Sequence, residues 1–249
     1  MDEKDQTTVA DTEEESLIRS TLFASKAANS FSFQNETLFR HKLGQHPRQS
    51  IVIVDNFYAN ALQLRESILK RAHFCVCGNF PGRRTASFAT EALKAQIQPY
   101  LRDEIVNFPM PSHNNDFNVY NGAFQITTSR DKSWVHVDGA NTWAGLLFLT
   151  PFAPESSGTN FFRFYDGTAS VDDQRVMNNQ FLTDSASQDM TKWVKVDTVG
   201  NVFNRLVLFD SKRFHMSADY FGTTLENGRL FQVFFFDTRP RMATKTDTQ

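Results

Sequence analysis

An α+β chain, mainly β, is predicted, with its second half a sandwich or barrel of jelly-roll type. Three observations predict it. Helical spacings are confined to about residues 60–105. From about Asn118 onward, short apolar runs succeed one another, separated by turn residues. The 25 phenylalanines supply the bulk of a filled β core.

Taken in order, residues 1–15 are acidic and polar and read as a tail with little to bury. "SIVIVDNFY" is a β-rich run ending in turn chemistry. "NALQLRESILKRAHF" spaces Leu62, Ile68, Leu69 and Ala72 at helical intervals, with Asn60 as its N-cap. "TEALKAQIQPYLRDEIV" repeats the pattern through Leu93, Ile97, Leu101 and Ile105, kinked or interrupted at Pro99. Six strand candidates follow: "NGAFQITT", "TWAGLLFLT", "GTNFFRFY", "WVKVDTV", "RLVLFD" and "RLFQVFFFD". Residues 241–249 read as a second flexible tail. No repeat or low-complexity linker divides the middle, so residues 16–240 are expected to form one domain with its jelly-roll core over about 118–237.

The totals exclude several functions. A chain of 249 residues, 40% hydrophobic, supports one substantial core. A formal charge of -2 gives no general basic field, so no nucleic-acid partner is expected. The two cysteines, Cys75 and Cys77, are too close in sequence for an ordinary disulfide staple. No apolar stretch reaches the length of a membrane span, and "MDEKDQTTVADTEEES" is acidic rather than signal-like. A cytoplasmic protein of a reducing compartment, without a membrane partner, is the expectation. The oligomeric state is not legible.

Chemistry concentrates in "SWVHVDGANTWAGLLFLT". In a strand, residues two apart point the same way, so His136 and Asp138 share a face. If that face is interior, both groups need a partner that offsets their desolvation, and a metal ion is one. A facial non-haem iron site takes two imidazoles and one carboxylate. His215, just after the apolar run "RLVLFD", supplies the third ligand. Arg229 then opens a strand in which Arg229, Phe231, Val233 and Phe235 share one face. A guanidinium at the head of an apolar inward row needs an anion, and a carboxylate suits its fork.

His136-x-Asp138, His215 and Arg229, in this order and at these separations, resemble the iron(II)- and 2-oxoglutarate-dependent dioxygenases. "FQITTSRDKSWVHVDG" looks like the entry to the first ligand pair in the prolyl-hydroxylase-like branch. "SSGTNFF" is similar to that branch's glycine-threonine turn, and "NRLVLFDSKRFHMS" to its approach to the distal histidine. The resemblance covers roughly residues 118–237. It implies a double-stranded β-helix (a squashed, cupin-like jelly roll), with Fe(II) held by His136, Asp138 and His215. It also implies 2-oxoglutarate as co-substrate, its distal carboxylate paired with Arg229, and dioxygen consumed while succinate and CO2 are released. The expected reaction is hydroxylation of a small molecule, amino acid or peptidyl side chain. No protein nucleophile or general base is implied. Halogenating relatives usually lack the carboxylate ligand, so Asp138 favours oxygenation. Phe231 stands where some branches place a serine, so a second hydrogen bond to the co-substrate must come from elsewhere; Tyr120, Gln125 and Thr127 are the candidates.

Other residues are weighed against simpler roles. Arg83 and Arg84 in "NFPGRRT" read as a solvated loop, with Arg83 the candidate to hold a carboxylate of the substrate. Trp134 and Trp143 flank the ligand pair; Trp143 is the candidate substrate contact, and aromatic core the commoner fate. His73, Cys75 and Cys77 lack a second cluster to complete a zinc site, so the cysteines read as small buried thiols. His113 reads as a loop residue and Arg205 as structural. "DGTASVDDQRVMNNQFLTDSASQDM" is either a lid or an insertion. Two rival functions stay open: a non-catalytic jelly-roll binding module with a vestigial pocket, and a cupin-like metalloenzyme that needs no 2-oxoglutarate.

Overall fold

The computed structural model describes residues 49–113, 116–165, 170–171 and 184–240. Both expected tails, and most of the segment read as a lid, lie outside these residues.

The first strand, β1 (Ile51–Val54), leads into helix α1 (Ala61–Arg71). Asn60 occupies the N-cap position of α1, but its side chain makes no capping bond. α1 buries Ala61, Leu64 and Ile68, which follow the three-to-four spacing of one helix face. Full burial of Leu64 and Ile68 contributes roughly 2 kcal/mol each. Next come β2 (Val76–Gly78) and β3 (Phe80–Ser87), then helix α2 (Glu91–Ile97), capped by Thr90 through a 3.2 Å bond from the Leu93 amide.

The interruption expected at Pro99 is present, and the helical pattern does not resume beyond it. α2 stops at Ile97, a 3₁₀ turn takes Gln98–Tyr100, and Ile105 sits in β4 (Glu104–Asn107). Pro99 lacks the amide that a continuing α-helix needs. Leu101 and Ile105 are nevertheless both buried, on either side of a bend at residues 102–103.

All six strand candidates of the second half form strands: β5 (Ala123–Thr127), β6 (Trp143–Phe148), β7 (Thr159–Tyr165), β9 (Trp193–Val199), β10 (Leu206–Asp210) and β12 (Arg229–Arg239). Between them lie the short β8 (Ser170–Val171), helix α3 (Asp184–Gln188) and β11 (His215–Ser217). The structure is thus mostly β with few helices, and every strand pairing is antiparallel.

Eight strands form one sheet, in the order β1-β10-β6-β12-β5-β3-β2, with β4 also paired to β12. Four form another, β11-β7-β8 with β9 on β7. Alternation along β12 assigns its two faces. Leu230, Phe234 and Phe236 join the cluster that includes Leu64 and Ile68 of α1 and Leu93 and Ile97 of α2. Phe231 and Val233 face the other way, into a cluster with Phe161 and Val199 of the small sheet. The layers are therefore helices, large sheet and small sheet, in a jelly-roll-like arrangement.

Buried polar links fix the helical layer. Tyr58 donates its hydroxyl proton to Gln232 at 2.7 Å, and its backbone exchanges bonds of 2.9 and 2.7 Å with the Asn204 amide group. Arg205 makes a two-pronged pair with Asp55 at 2.6 and 2.8 Å, which gives it the structural role expected. Among the described residues no helix is long and apolar enough to cross a membrane.

Candidate functional site

His136 and His215 lie directly opposite one another, and their backbones exchange both bonds, His136 N–H to His215 O at 3.0 Å and the reverse at 2.9 Å. The ligand segment is extended but is not part of a continuous strand; this isolated bridge is its register pin. A further bond from the Asp138 amide to Ser211 O, 2.9 Å, holds the next turn of chain. Alternation then sorts the side chains. Val135 and Val137 pack with Phe162, Phe164, Trp193 and Phe214, while His136 and Asp138 point to the opposite side.

Three donor groups converge there. His136 Nε2 lies 3.7 Å from one Asp138 oxygen and His215 Nε2 lies 3.2 Å from the other. Ligand atoms of all three residues fall within 4.8 Å of one another. Metal–ligand bonds of about 2.1 Å at right angles would set donor atoms about 3 Å apart, so little movement is needed.

The tautomers suit a metal as well. His136 Nδ1 is 2.9 Å from Trp134 O, and His215 Nδ1 is 2.9 Å from Arg213 O. A carbonyl only accepts, so each Nδ1 carries the proton and each Nε2 presents a lone pair. Lone pairs that face a carboxylate repel unless a proton or cation sits between them. Burial, reinforced by the nearness of His215, pushes His136 down to about 4, so this ring is neutral at physiological pH. Burial raises Asp138, but its close neighbours His215, His136 and Arg84 outweigh it, and the net shift is downward. A neutral imidazole beside an ionised carboxylate is the donor set a divalent cation takes.

The triad opens on a cavity of about 590 Å³, within the range of small-molecule sites. Its floor is apolar, with Leu146, Phe209, Phe231 and Val233, and its rim carries Asn79, Asn118 and Ser133. The inward row of β12 runs as expected, since Phe231, Val233 and Phe235 all line it. Arg229, at the head of the row, is fully buried behind the lining, its guanidinium 4.4 Å from the Phe231 ring. Nε donates to Ser157 O at 2.8 Å and Nη2 to Gly158 O at 3.2 Å, while Nη1 is buried without a partner. Two more buried atoms without partners lie in this corner. One is Oγ1 of Thr159, which follows Gly158 and lines the cavity; the other is the Tyr220 hydroxyl, which lies near enough to act electrostatically on Arg229. Burial lowers Arg229 to about 10, so it is still a cation at neutral pH.

In the turn that holds Arg229, Gly158 has no room for a side chain. A Cβ at Gly158 would lie 1.9 Å from Val199 O. Gly158→Ala is therefore expected to cost roughly 2–3 kcal/mol, read as a lower urea midpoint; an unchanged midpoint would contradict the close approach.

The remaining candidates divide. Gln125 lines the cavity but is committed: its oxygen accepts from Arg84 Nε at 2.7 Å and its nitrogen donates to Pro81 O at 2.6 Å. Thr127 lies in register with Arg229, buried, and donates weakly to Arg229 O at 3.5 Å. Tyr120 stands at the mouth, half-exposed, against Phe80. Trp143 turns to the helix side of the sheet, stacks on Phe236 and donates to Thr238 Oγ1 at 3.0 Å, so it does not line the cavity. The tryptophan that lines it is Trp134. Arg83 is exposed, and its neighbour Arg84 lines the cavity instead. Cys75 and Cys77 are exposed rather than buried, and of the described residues only His136, Asp138 and His215 form a metal-competent group.

A family model, described as a family of unknown function (DUF6445), matches residues 35–236, more than half of the chain. The chain belongs to the DUF6445 family. No curated protein matches it. Similar solved structures include HygX from Streptomyces hygroscopicus with nickel, 2-oxoglutarate and hygromycin B bound, at 16% identity over 75% of this chain and 82% of that one, TM-score 0.44. Another is a prolyl hydroxylase from Trichoplax adhaerens in complex with a hypoxia inducible factor peptide fragment, at 12% identity over 95% and 96%, TM-score 0.42. A Pseudomonas putida prolyl-4-hydroxylase is similar at 13% identity over 76% and 92%, TM-score 0.34.

Sequence reasoning about this DUF6445 chain preferred Arg83 to Arg84 and gave no role to Thr159 or Tyr220. Arg84 had a findable signal. In an extended "NFPGRRT" one of two adjacent arginines must face inward. The Pro-Gly pair hid the strand; Gly82 keeps it open, with φ +74 and no room for a Cβ, which would lie 2.0 Å from Ile126 O. Thr159 stands in the glycine-threonine turn "SSGTNFF", to which no ligand role was given, and Tyr220 carries no pattern of its own.

Proposed function

We propose that this protein is an Fe(II)- and 2-oxoglutarate-dependent oxygenase that hydroxylates a small molecule, amino acid or peptidyl side chain. The observation that carries the reading is the pairing of His136 with His215 across one bridge. Both Nδ1 protons are given to backbone carbonyls, and both Nε2 atoms are turned on Asp138. His136, Asp138 and His215 would hold the metal. Bound there, iron with 2-oxoglutarate supplies the oxidising chemistry, with succinate and CO2 released.

The chain's own residues do the rest. Trp134 O and Arg213 O fix the tautomers and orient the rings. Arg229, with Thr159 and Tyr220 beside it, receives the distal carboxylate of 2-oxoglutarate. Its Nη1 is a buried donor that lacks an acceptor, and leaving such a group unpaired costs about 1–3 kcal/mol or more. This corner supports Thr159 and Tyr220 over Gln125 and Thr127, whose polar atoms are engaged. Leu146, Phe209, Phe231 and Val233 keep the floor dry. A double-stranded β-helix within a single domain is the matching fold reading.

Anaerobic addition of Fe(II) and 2-oxoglutarate is expected to give a weak visible charge-transfer band, and aerobic incubation with substrate to give succinate. Absence of the band in the wild-type protein would remove the assignment. It would leave a vestigial binding module or a metalloenzyme without a co-substrate.

A further inference from the structure

Arg84 is the second buried guanidinium of the site. Only 8% exposed, it lines the same cavity as the His-Asp-His triad, and its charge bears on Asp138 and His136. Among the described residues it has no carboxylate partner, and its one hydrogen bond there runs from Nε to Gln125 at 2.7 Å. Gln125 is itself pinned by Pro81 O, so the guanidinium is held from behind. Aromatic rings hold it from the sides, with Phe80 at 3.8 Å, Tyr120 at 5.1 Å and Phe235 at 5.7 Å from its central carbon. The two terminal nitrogens have no partner among the described residues, yet unlike Arg229 Nη1 they are not sealed from solvent. A rigid, desolvated fork with its outer edge open to a cavity is prepared for a ligand from outside the chain.

We propose that Arg84 is the substrate-binding residue of this site and that the substrate is a small molecule carrying one free carboxylate. The inference rests on the oxygenase reading and deepens it. Charge balance selects the class. With neutral imidazoles, a divalent metal and two guanidiniums stand against Asp138 and a dicarboxylate co-substrate, which leaves one positive charge in a largely apolar cavity. A single carboxylate neutralises it, whereas a phosphate dianion overshoots and a neutral substrate leaves it uncompensated. The apolar floor receives the substrate's body, and the rim asparagines meet its remaining polar groups.

The test uses the full chain loaded with Zn(II), which does not turn over, and 2-oxoglutarate. Probes are matched pairs, benzoate against benzamide and N-acetyl-L-leucine against its amide. Quenching of tryptophan emission reports binding, since Trp134 lines the cavity. At least about tenfold preference for the acids is expected in the wild type. It should vanish in Arg84→Gln and be partly kept in Arg84→Lys, while Zn(II) and 2-oxoglutarate affinities stay within about threefold. Equal or undetectable binding of acids and amides by the wild type, which needs no variant, overturns the proposal. So does a preference that survives Arg84→Gln. Loss of 2-oxoglutarate binding in Arg84→Gln with acid binding retained would make Arg84 the co-substrate's anchor and also overturn it. Failure of the wild-type metal form to bind 2-oxoglutarate is a separate result, which removes the underlying oxygenase reading.

Discussion

An Asp138→Ala variant is expected to bind divalent metal at least about 100-fold more weakly than the parent while keeping its fold. Loss of a group that merely orients a ligand costs 10–100-fold, so loss of the only anionic ligand costs at least the upper end. The fold survives because the backbone, not the carboxylate, holds this turn. The Asp138 amide bonds to Ser211 O, and the flanking Val135 is fully buried beside Phe162 and Trp193. His215→Ala separates the two effects from the other side. That ring is buried and lies 4.6 Å from Phe209, so its removal costs metal affinity and about 1–3 kcal/mol of stability together. Metal titration with thermal unfolding in parallel reads both quantities. Unchanged metal affinity in Asp138→Ala would mean that the three groups are not a metal site.

The second large effect concerns Arg229→Met. Affinity for 2-oxoglutarate should fall at least about 30-fold, roughly 2 kcal/mol or more, while metal affinity holds. Two opposing terms act on stability in the absence of co-substrate. Removing the guanidinium frees Ser157 O and Gly158 O, each unmet bond costing about 1 kcal/mol or more. It also removes a fully buried cation that has no anionic protein partner among the described residues, which is a gain of similar size. The free protein should therefore change little in Tm. The stabilisation that 2-oxoglutarate gives the metal-loaded wild type should disappear. Calorimetric titration together with melting curves checks both parts, and equal co-substrate affinity in wild type and variant would remove the anchor role.

Strand content was legible because it rests on local chemistry. "RLFQVFFFD" and "RLVLFD" read as strands from composition alone, and they form β12 and β10. Period-two alternation then placed Arg229 in the same inward row as Phe231, Val233 and Phe235, and separated His136 and Asp138 from their valine neighbours. The reading failed where a local pattern and the tertiary path part. Leu101 and Ile105 keep a helical spacing of four, yet beyond the interruption expected at Pro99 the chain bends at residues 102–103 and Ile105 enters β4. Pro81-Gly82 reads as a turn, yet lies inside β3 because Gly82 lets the chain pass close to the Ile126 carbonyl. That error carried the choice of Arg83 over Arg84.

What the sequence determined by itself was a set of candidate ligands and an inward arginine, because side-chain identity and alternation are local properties. Only tertiary structure decided that His136 faces His215 across one backbone pair, that Trp143 belongs to the helix-side core, and that Arg84 shares the triad's cavity. Each of these depends on which strand lies beside which, and that neighbourhood is fixed by burial summed over the whole chain rather than by any segment's own preference.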